Sequence, residues 1–417
     1  MSGGPGLDCD RLMADVGALS RIGALEQGGI DRRAYSPAFR EAVDWLKGRM
    51  FEAGMRVRED TAGNLIGRIG PDGPALICGS HIDSVPQGGN YDGPLGVLAG
   101  LECARALTLE DVHLKCAFEV VAFADEEGAY LSLLGSHAMT GSLSQDEIAA
   151  ARGRDGVMLR DVLASYGLDA LRILDAARPS SDFAGYIELH IEQGPILESE
   201  GVDIGIVEAL FGIRSHLLTL TGAARHAGTT PLDCRHDALR AAADAISSAF
   251  RSLPVEKQND VRLTYGNIKV LPGASNVVPG LVHVVQEIRA ADTATIDNVE
   301  AMVQMIFEEC ARPHGVSVRS AVTGDDAPVA MSAAAALNIE DACRASGASC
   351  RRMISGAGHD AQAFADICET GIIFVPSRAG ISHHPDEYTR PEDIGVGLQV
   401  LYQACRTQIT NDAHLML

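Results

Sequence analysis

The hydrophobic pattern along the chain switches between a period near 3.6 and a period of two, as helices and strands do when they alternate. Residues 8–25 carry apolar positions at helical spacing. Ser36-Pro37 opens a second helix, 38–53, closed by Gly54. Residues 56–59 and 64–69 read as paired strands, and 75–78 is an apolar run that ends a buried strand. A helix over 96–108 and a strand over 115–124 follow, then short helices at 161–166 and 169–177 and a strand within 185–194.

From about residue 214 the grammar changes. Strands at 216–221, 261–270, 281–289 and 316–322 enclose helices at 230–250 and 293–312, which is the β-α-β-β-α-β order of a ferredoxin-like unit. After 326 the first pattern resumes, with helices at 333–346, 361–368 and 391–410 and strands at 352–354 and 371–375. The expected class is therefore α/β: one domain made of 1–213 and 327–417, with a second domain, 214–326, inserted into it.

Composition narrows the function. The chain has 417 residues, 46% of them hydrophobic and only 5% aromatic, so its cores are mainly aliphatic. A net charge of -22 argues against nucleic acid and against anionic membranes as partners. The ten cysteines include no Cys-x-x-Cys pair, which speaks against a thiolate zinc site and points to a reducing, cytoplasmic setting. Residues 1–6 have no basic flank or apolar segment, so no signal peptide is expected there. No apolar stretch approaches the length of a membrane span.

The candidate chemistry gathers where strands end. The run 75–78 leads into Gly-Ser-His81-Ile-Asp83, with Asp92 further along a Gly-rich loop. Imidazole plus carboxylate suits zinc or a similar divalent ion. The strand 115–124 ends in Asp125-Glu126-Glu127, three adjacent carboxylates that are costly to hold together without cations. His190 lies near the end of another strand, followed by Glu192-Gln193. A lone histidine in an apolar alternation is more often a core residue, but here the strand runs into polar neighbours. A further strand, 371–375, leads to Ser-His383.

Eight segments occur in a fixed order: Gly-Ser-His81-Ile-Asp83-Ser, Asp92-Gly, Glu126-Glu127-Gly, His190-Ile-Glu-Gln-Gly-Pro, His226-Ala-Gly-Thr-Thr-Pro, Asn276-Val-Val-Pro, Gly-Ala-Gly-His359-Asp360-Ala and Ser-His383. Together they resemble the M20-type dinuclear metallohydrolases. More narrowly they resemble the hydantoinase/carbamoylase branch, which includes N-carbamoyl-L-amino acid hydrolases, β-ureidopropionases and allantoate amidohydrolases. The resemblance implies a metallopeptidase-like catalytic domain with a mixed sheet, and an inserted ferredoxin-like lid and dimerisation domain.

It also implies two divalent metal ions per chain, zinc first, with manganese, cobalt or nickel as alternatives. One ion would take His81 and His190, the other Glu127 and His383, and Asp92 would bridge them. Cations about 3.5–4 Å apart need such a shared anion. Asp83 would orient His81 through its other nitrogen, and Glu126 would be the general base. His226 would reach the partner subunit's site in a homodimer and hydrogen-bond the developing oxyanion. Asn276 and Arg289 would grip the substrate carboxylate, with Gln193 and His359 as further polar contacts. Arg289 has an alternative role as a strand-edge arginine paired with Glu287 or Asp292.

The implied activity is hydrolysis of the carbamoyl or ureido C–N bond of a small N-carbamoyl amino acid or related ureido carboxylate. The rival enzyme is an M20 aminoacylase or dipeptidase with the same metals; the rival from another class is a non-catalytic metal-binding protein on the same fold. One segment departs from the branch. After Glu-Glu-Gly, where Arg-Phe is common, this chain has Ala129-Tyr130-Leu131 and a shorter connection to Gly135-Ser136.

Overall fold

The computed structural model describes residues 6–110, 113–253 and 261–410. The signal-peptide reading of residues 1–6 therefore lies outside the described residues, except for Gly6. In chain order the strands are β1 (Arg56–Glu59), β2 (Leu65–Ile69), β3 (Ala75–His81), β4 (Ala117–Phe123), β5 (Phe183–Ile191), β6 (Ile204–Leu210), β7 (Gly212–Thr221), β8 (Arg225–His226), β9 (Val261–Leu271), β10 (Val277–Val278), β11 (Leu281–Ala290), β12 (Ser317–Asp326), β13 (Val329–Ala330), β14 (Cys350–Ser355) and β15 (Thr370–Val375). The chain divides into two compact units: unit 1 is Met1–Glu208 with Ala330–Leu417, and unit 2 is Ala209–Val329.

Unit 1 is built on a mixed sheet in the order β1-β2-β4-β3-β5-β15-β6-β13, with β14 also paired to β6. Its centre, β4-β3-β5-β15, is parallel, and β2 and β6 border it antiparallel. All seven residues of β3 and all seven of β4 are buried, as strands covered on both faces must be. Helix Pro94–Leu109 is buried nearly all round, and such a helix belongs inside a core. Its single carboxylate, Glu102, is fully buried and answered by Arg11 Nε at 2.9 Å, Arg105 Nη1 at 3.2 Å and the N–H of Asp8 at 2.9 Å.

Unit 2 has one antiparallel sheet in the order β12-β7-β11-β9. Alternate residues of β7 and β11, among them Leu218, Leu220, Val282, Val284 and Ile288, form a core with helices Ala238–Ser252 and Thr293–Ala311. The first of those helices contributes only alanines to the buried set, so it can lie close to the sheet.

Three helical expectations need correction. The first helix is Cys9–Leu19 and not 8–25; after it the chain turns, and Gly23 holds φ +81°, outside helical space. The helix expected over 230–250 begins at Ala238, because Arg235 binds the carbonyls of Ala227 and Thr230 and holds the preceding turn, and Asp237 then caps the helix. Residues 361–368 form a 3-10 turn, Asp360–Ala363, and further turns. There the stacking of Phe364 on Tyr186, centroids 4.4 Å apart, pins the segment. Strand β6 and helix Leu134–Thr140 were not expected.

Candidate metal centre

The parallel strands of unit 1 bring the candidate donors to one edge. Strand order reverses at β3: β4 lies on one side and β5 on the other, so a crevice opens at their carboxyl ends. His81 is the last residue of β3 and His190 the penultimate residue of β5. Glu126 and Glu127 follow β4, His383 follows β15, and Asp92 stands in the loop ahead of helix Pro94–Leu109.

Asp92 sits at the middle. Its Oδ1 lies 3.1 Å from His190 Nε2 and 3.9 Å from His81 Nε2; its Oδ2 lies 3.0 Å from His383 Nε2. Donor atoms of His81, Asp92 and His190 fall within 4.8 Å of one another, and so do those of Asp92, Glu127 and His383. Glu126 Oε2 is 3.5 Å from His81 Nε2, and Glu127 Oε1 is 3.5 Å from His383 Nε2.

The imidazoles are aimed by backbone. His81 Nδ1 donates to the carbonyl of Asp83 at 3.0 Å and His190 Nδ1 to the carbonyl of Ile191 at 2.9 Å. Each Nε2 is thereby the ring nitrogen turned toward Asp92, and at His190, 3.1 Å away, it donates to the carboxylate as long as no cation lies between them. The expected orienting role of the Asp83 carboxylate takes a different form. Its Oδ1 is 3.7 Å from His81 Nδ1, and its Oδ2 accepts the N–H of Glu127 at 3.2 Å. Gly93, φ +82°, leaves room for the His81 ring, since a Cβ there would lie 2.5 Å from the ring.

The electrostatics favour cations. Burial pushes Glu126 well above its ordinary range, with Asp360, Glu127, Asp83 and Asp92 adding to the shift. Burial and Asp92 push Glu127 up to about 7. Asp83 is likewise held up by burial, then by Asp125 and Glu127. Burial works against charging His190, but its bond to Asp92 raises it to about 9; the same bond takes His383 to about 9. Among the described residues no lysine or arginine hydrogen-bonds Asp83, Asp92, Glu126 or Glu127. A crowd of buried carboxylates around imidazoles whose Nε2 protons a cation would displace is a donor set that divalent ions fit.

Two acidic residues do structural work around the site that the sequence did not reveal. Glu387 is buried, and its Oε1 accepts the N–H of Tyr91 at 2.8 Å and of Asp92 at 3.1 Å. Its Oε2 meets Ser382 Oγ at 2.9 Å, and that hydroxyl also meets Asp92 Oδ2 at 3.0 Å. Glu387 thus ties the Asp92 loop to the His383 loop. Asp125, at φ +59°, accepts the N–H groups of Ala129, Tyr130 and Leu131 and shapes the turn that presents Glu126 and Glu127. Asp125 was signalled only as one of three carboxylates at a strand's end, and Glu387, in the turn ahead of helix Pro391–Ile409, had no such signal.

The expected substrate contacts divide. Gln193 is at the cluster, its Nε2 donating to Asp92 Oδ2 at 2.9 Å. His359 is buried edge-on to His190 at 4.5 Å, its Nε2 3.0 Å from Ser355 Oγ. His226, Asn276 and Arg289 belong to unit 2. There His226 on β8 is exposed, and its Nδ1 accepts the N–H groups of Gly228 at 3.1 Å and Thr229 at 3.2 Å. Val277 pairs with His226, and the carbonyl of Asn276 accepts the N–H of Ala227, so Asn276 and His226 are neighbours.

Arg289 stands apart from them. It lies at the far end of β11, bonded through Nε to Glu287 Oε1 at 2.7 Å. Asn276 precedes the near end of that strand, roughly 25 Å away at the usual rise per residue. Within one chain the two cannot hold the same small carboxylate.

Residues 77–407 match the family model described as Peptidase family M20/M25/M40. The N-carbamoyl-L-amino acid amidohydrolase of Geobacillus stearothermophilus is 37% identical over 398 residues, covering 94% of this chain and 97% of that one. The allantoate amidohydrolase of Bacillus subtilis is 34% identical, covering 92% and 93%. Among solved structures, a hydantoinase/carbamoylase family amidase from Burkholderia multivorans superposes with a TM-score of 0.88 at 31% identity, covering 97% of this chain and 98% of that one.

Proposed function

We propose, because the chain belongs to peptidase family M20/M25/M40, that it is a metal-dependent amidohydrolase cleaving the carbamoyl or ureido C–N bond of a small carboxylate. Relatives named as N-carbamoyl-L-amino acid and allantoate amidohydrolases cover nearly its whole length. The observation that carries the reading is the central carboxylate of Asp92, with one oxygen toward His190 and the other toward His383.

His81 and His190 with Asp92 would hold one divalent ion, and Glu127 and His383 with Asp92 the other; zinc, manganese, cobalt and nickel all suit these donors. Bound there, the ions would supply Lewis acidity toward the substrate carbonyl and toward water. Glu126, beside His81, takes a proton from the attacking water at its carboxylate and passes it to the departing nitrogen. Water adds to the ureido carbon, the C–N bond breaks, and one substrate plus one water yields amine, carbon dioxide and ammonia.

His226 fits an oxyanion donor. Its Nδ1 accepts two backbone N–H groups, so the neutral ring carries its proton on the outward Nε2. We assign unit 2 to a lid and dimerisation role, with His226 and Asn276 serving a partner subunit's site. The separation of Asn276 from Arg289 along β11 favours that assignment, because two copies of unit 2 would be needed to bring both residues to one carboxylate. A cytoplasmic setting fits ten cysteines that form no disulfide and the lack, among the described residues, of any helix long and apolar enough to cross a membrane.

The test is a substrate panel run with each metal: N-carbamoyl amino acids, ureidopropionate, allantoate and N-acyl amino acids, with ammonia as the readout. Ammonia from the ureido compounds and no acid release from the acyl compounds is expected. The opposite pattern would move the chain to the aminoacylases.

A further inference from the structure

The Ala129-Tyr130 segment, which departs from the family pattern, lines a cavity of about 650 Å³ in unit 1. That volume suits a small-molecule site, typically about 300–1,000 Å³. Glu127 and His383 line it, so it opens directly beside the candidate donors, and Arg33, Tyr130, Arg154 and Asp155 line it as well.

The polar groups there are poorly matched to one another. Arg33 bonds Asp31 through Nε at 2.9 Å, and its two terminal nitrogens have no partner among the described residues. Arg154 makes no hydrogen bond or ion pair among the described residues. Asp155 is the one opposing carboxylate apart from Glu127, and its Oδ1 already accepts the N–H of Val157 at 3.0 Å. Burial, then Asp155 and Asp125, holds the Tyr130 hydroxyl above its ordinary value, so it remains a proton donor. Two exposed guanidinium groups with no described protein partner for their terminal nitrogens line one cavity, in a chain whose 56 acidic residues outnumber its 34 basic ones.

We propose that this cavity is a subsite for a second anionic group on the substrate, so that the preferred substrate class is the N-carbamoyl derivative of a dicarboxylic amino acid. The proposal rests on the carbamoyl reading above and deepens it. Arg33 and Arg154 read the distal carboxylate through their terminal nitrogens, which match carboxylate oxygens in planar geometry, and Tyr130 adds a neutral donor. Val85, Pro86 and Ala129 line the same cavity and give the intervening methylenes an apolar wall.

The experiment measures ammonia release by the metal-loaded full chain from the N-carbamoyl derivatives of aspartate, glutamate, glutamine, leucine and glycine. Each is run with wild type, Arg33→Gln and Arg154→Gln. In wild type, an acid is expected to exceed its amide by about tenfold to hundredfold in kcat/KM, mostly through KM, with the gap narrowing as salt rises. Each arginine variant should lose about tenfold more on the acid than on the amide. Equal rates on acid and amide in wild type, or a preference for leucine, would overturn this inference while leaving the carbamoyl reading in place. Equal losses on all five substrates would also overturn it, since the arginines would then read the common carboxylate or support the fold. No ammonia from any of the five would remove the carbamoyl reading, and the subsite proposal with it.

Discussion

In unit 1 the Nδ1 atoms of His81 and His190 donate to backbone carbonyls, whereas in unit 2 the Nδ1 of His226 accepts from backbone N–H groups. The same side chain is therefore locked into opposite tautomers. In their neutral forms His81 and His190 would present a lone pair at Nε2, the form that a bound cation selects, whereas neutral His226 presents a proton there. Surroundings differ in the same sense. His81 and His190 are 2% exposed at the ends of central strands, while His226 is exposed on a two-residue strand. A buried lone pair beside carboxylates suits a cation, and an exposed N–H suits an anion that arrives from outside. Backbone polarity around the ring, set by local chain direction, assigns the job.

That contrast can be tested in descending order of effect. Asp92→Ala should strip at least one metal equivalent and reduce activity to background, as read by elemental analysis on the purified chain; full metal content would break the donor assignment. Glu126→Gln should keep both metals and lose about 10²–10⁴-fold in kcat. Near-normal turnover would transfer the base to another group.

His226→Ala should leave metal content alone and lower kcat about 10²–10³-fold, the scale of one oxyanion donor. Mixing it with Glu126→Gln chains should then restore activity, because a mixed dimer has one site with Glu126 intact and His226 supplied by its neighbour. Proven subunit exchange without recovery would argue that His226 does not act across subunits.

Glu387→Ala should weaken metal binding about 10–100-fold in chelator competition. Glu387→Gln should recover most of that, since its Oε1 still accepts both N–H groups. Equal losses in the two variants would mean that charge, and not loop geometry, is what matters. Asp237→Ala removes the cap from helix Ala238–Ser252, where the carboxylate accepts the N–H groups of Leu239 and Arg240 at 3.1 Å. It should cost about 1 kcal/mol in the unfolding of unit 2 and nothing in metal affinity.

His81, Glu126, Glu127 and His190 were legible as candidates because each lies within or just after an apolar strand run, and apolar runs are what the eye finds first in a sequence. Glu387 was not, because its partners Tyr91 and Asp92 lie almost 300 residues away and offer backbone N–H groups that carry no letter. The Asp83 substitution of carbonyl for carboxylate was invisible for the same reason. The distance between Asn276 and Arg289 could have been foreseen, since 281–289 was already read as one strand; counting its rise separates them. Helix ends were misread where a side chain overrode periodicity, as Arg235 does ahead of Ala238.

One consequence of the topology concerns the order in which the molecule can be made. Unit 2 is a single uninterrupted segment, whereas unit 1 is split around it. As the chain leaves the ribosome, Ala209–Val329 can close its core before residue 330 has been synthesised. Strand β5 must then wait for β15, which pairs Phe374 with His190 across 184 residues. The entropy of closing so long a loop grows only logarithmically with length, and prior folding of the insert shortens the effective tether. The donor cluster is thus the last thing to exist, and a nascent chain holds a folded unit 2 before unit 1 can gather its candidate ligands.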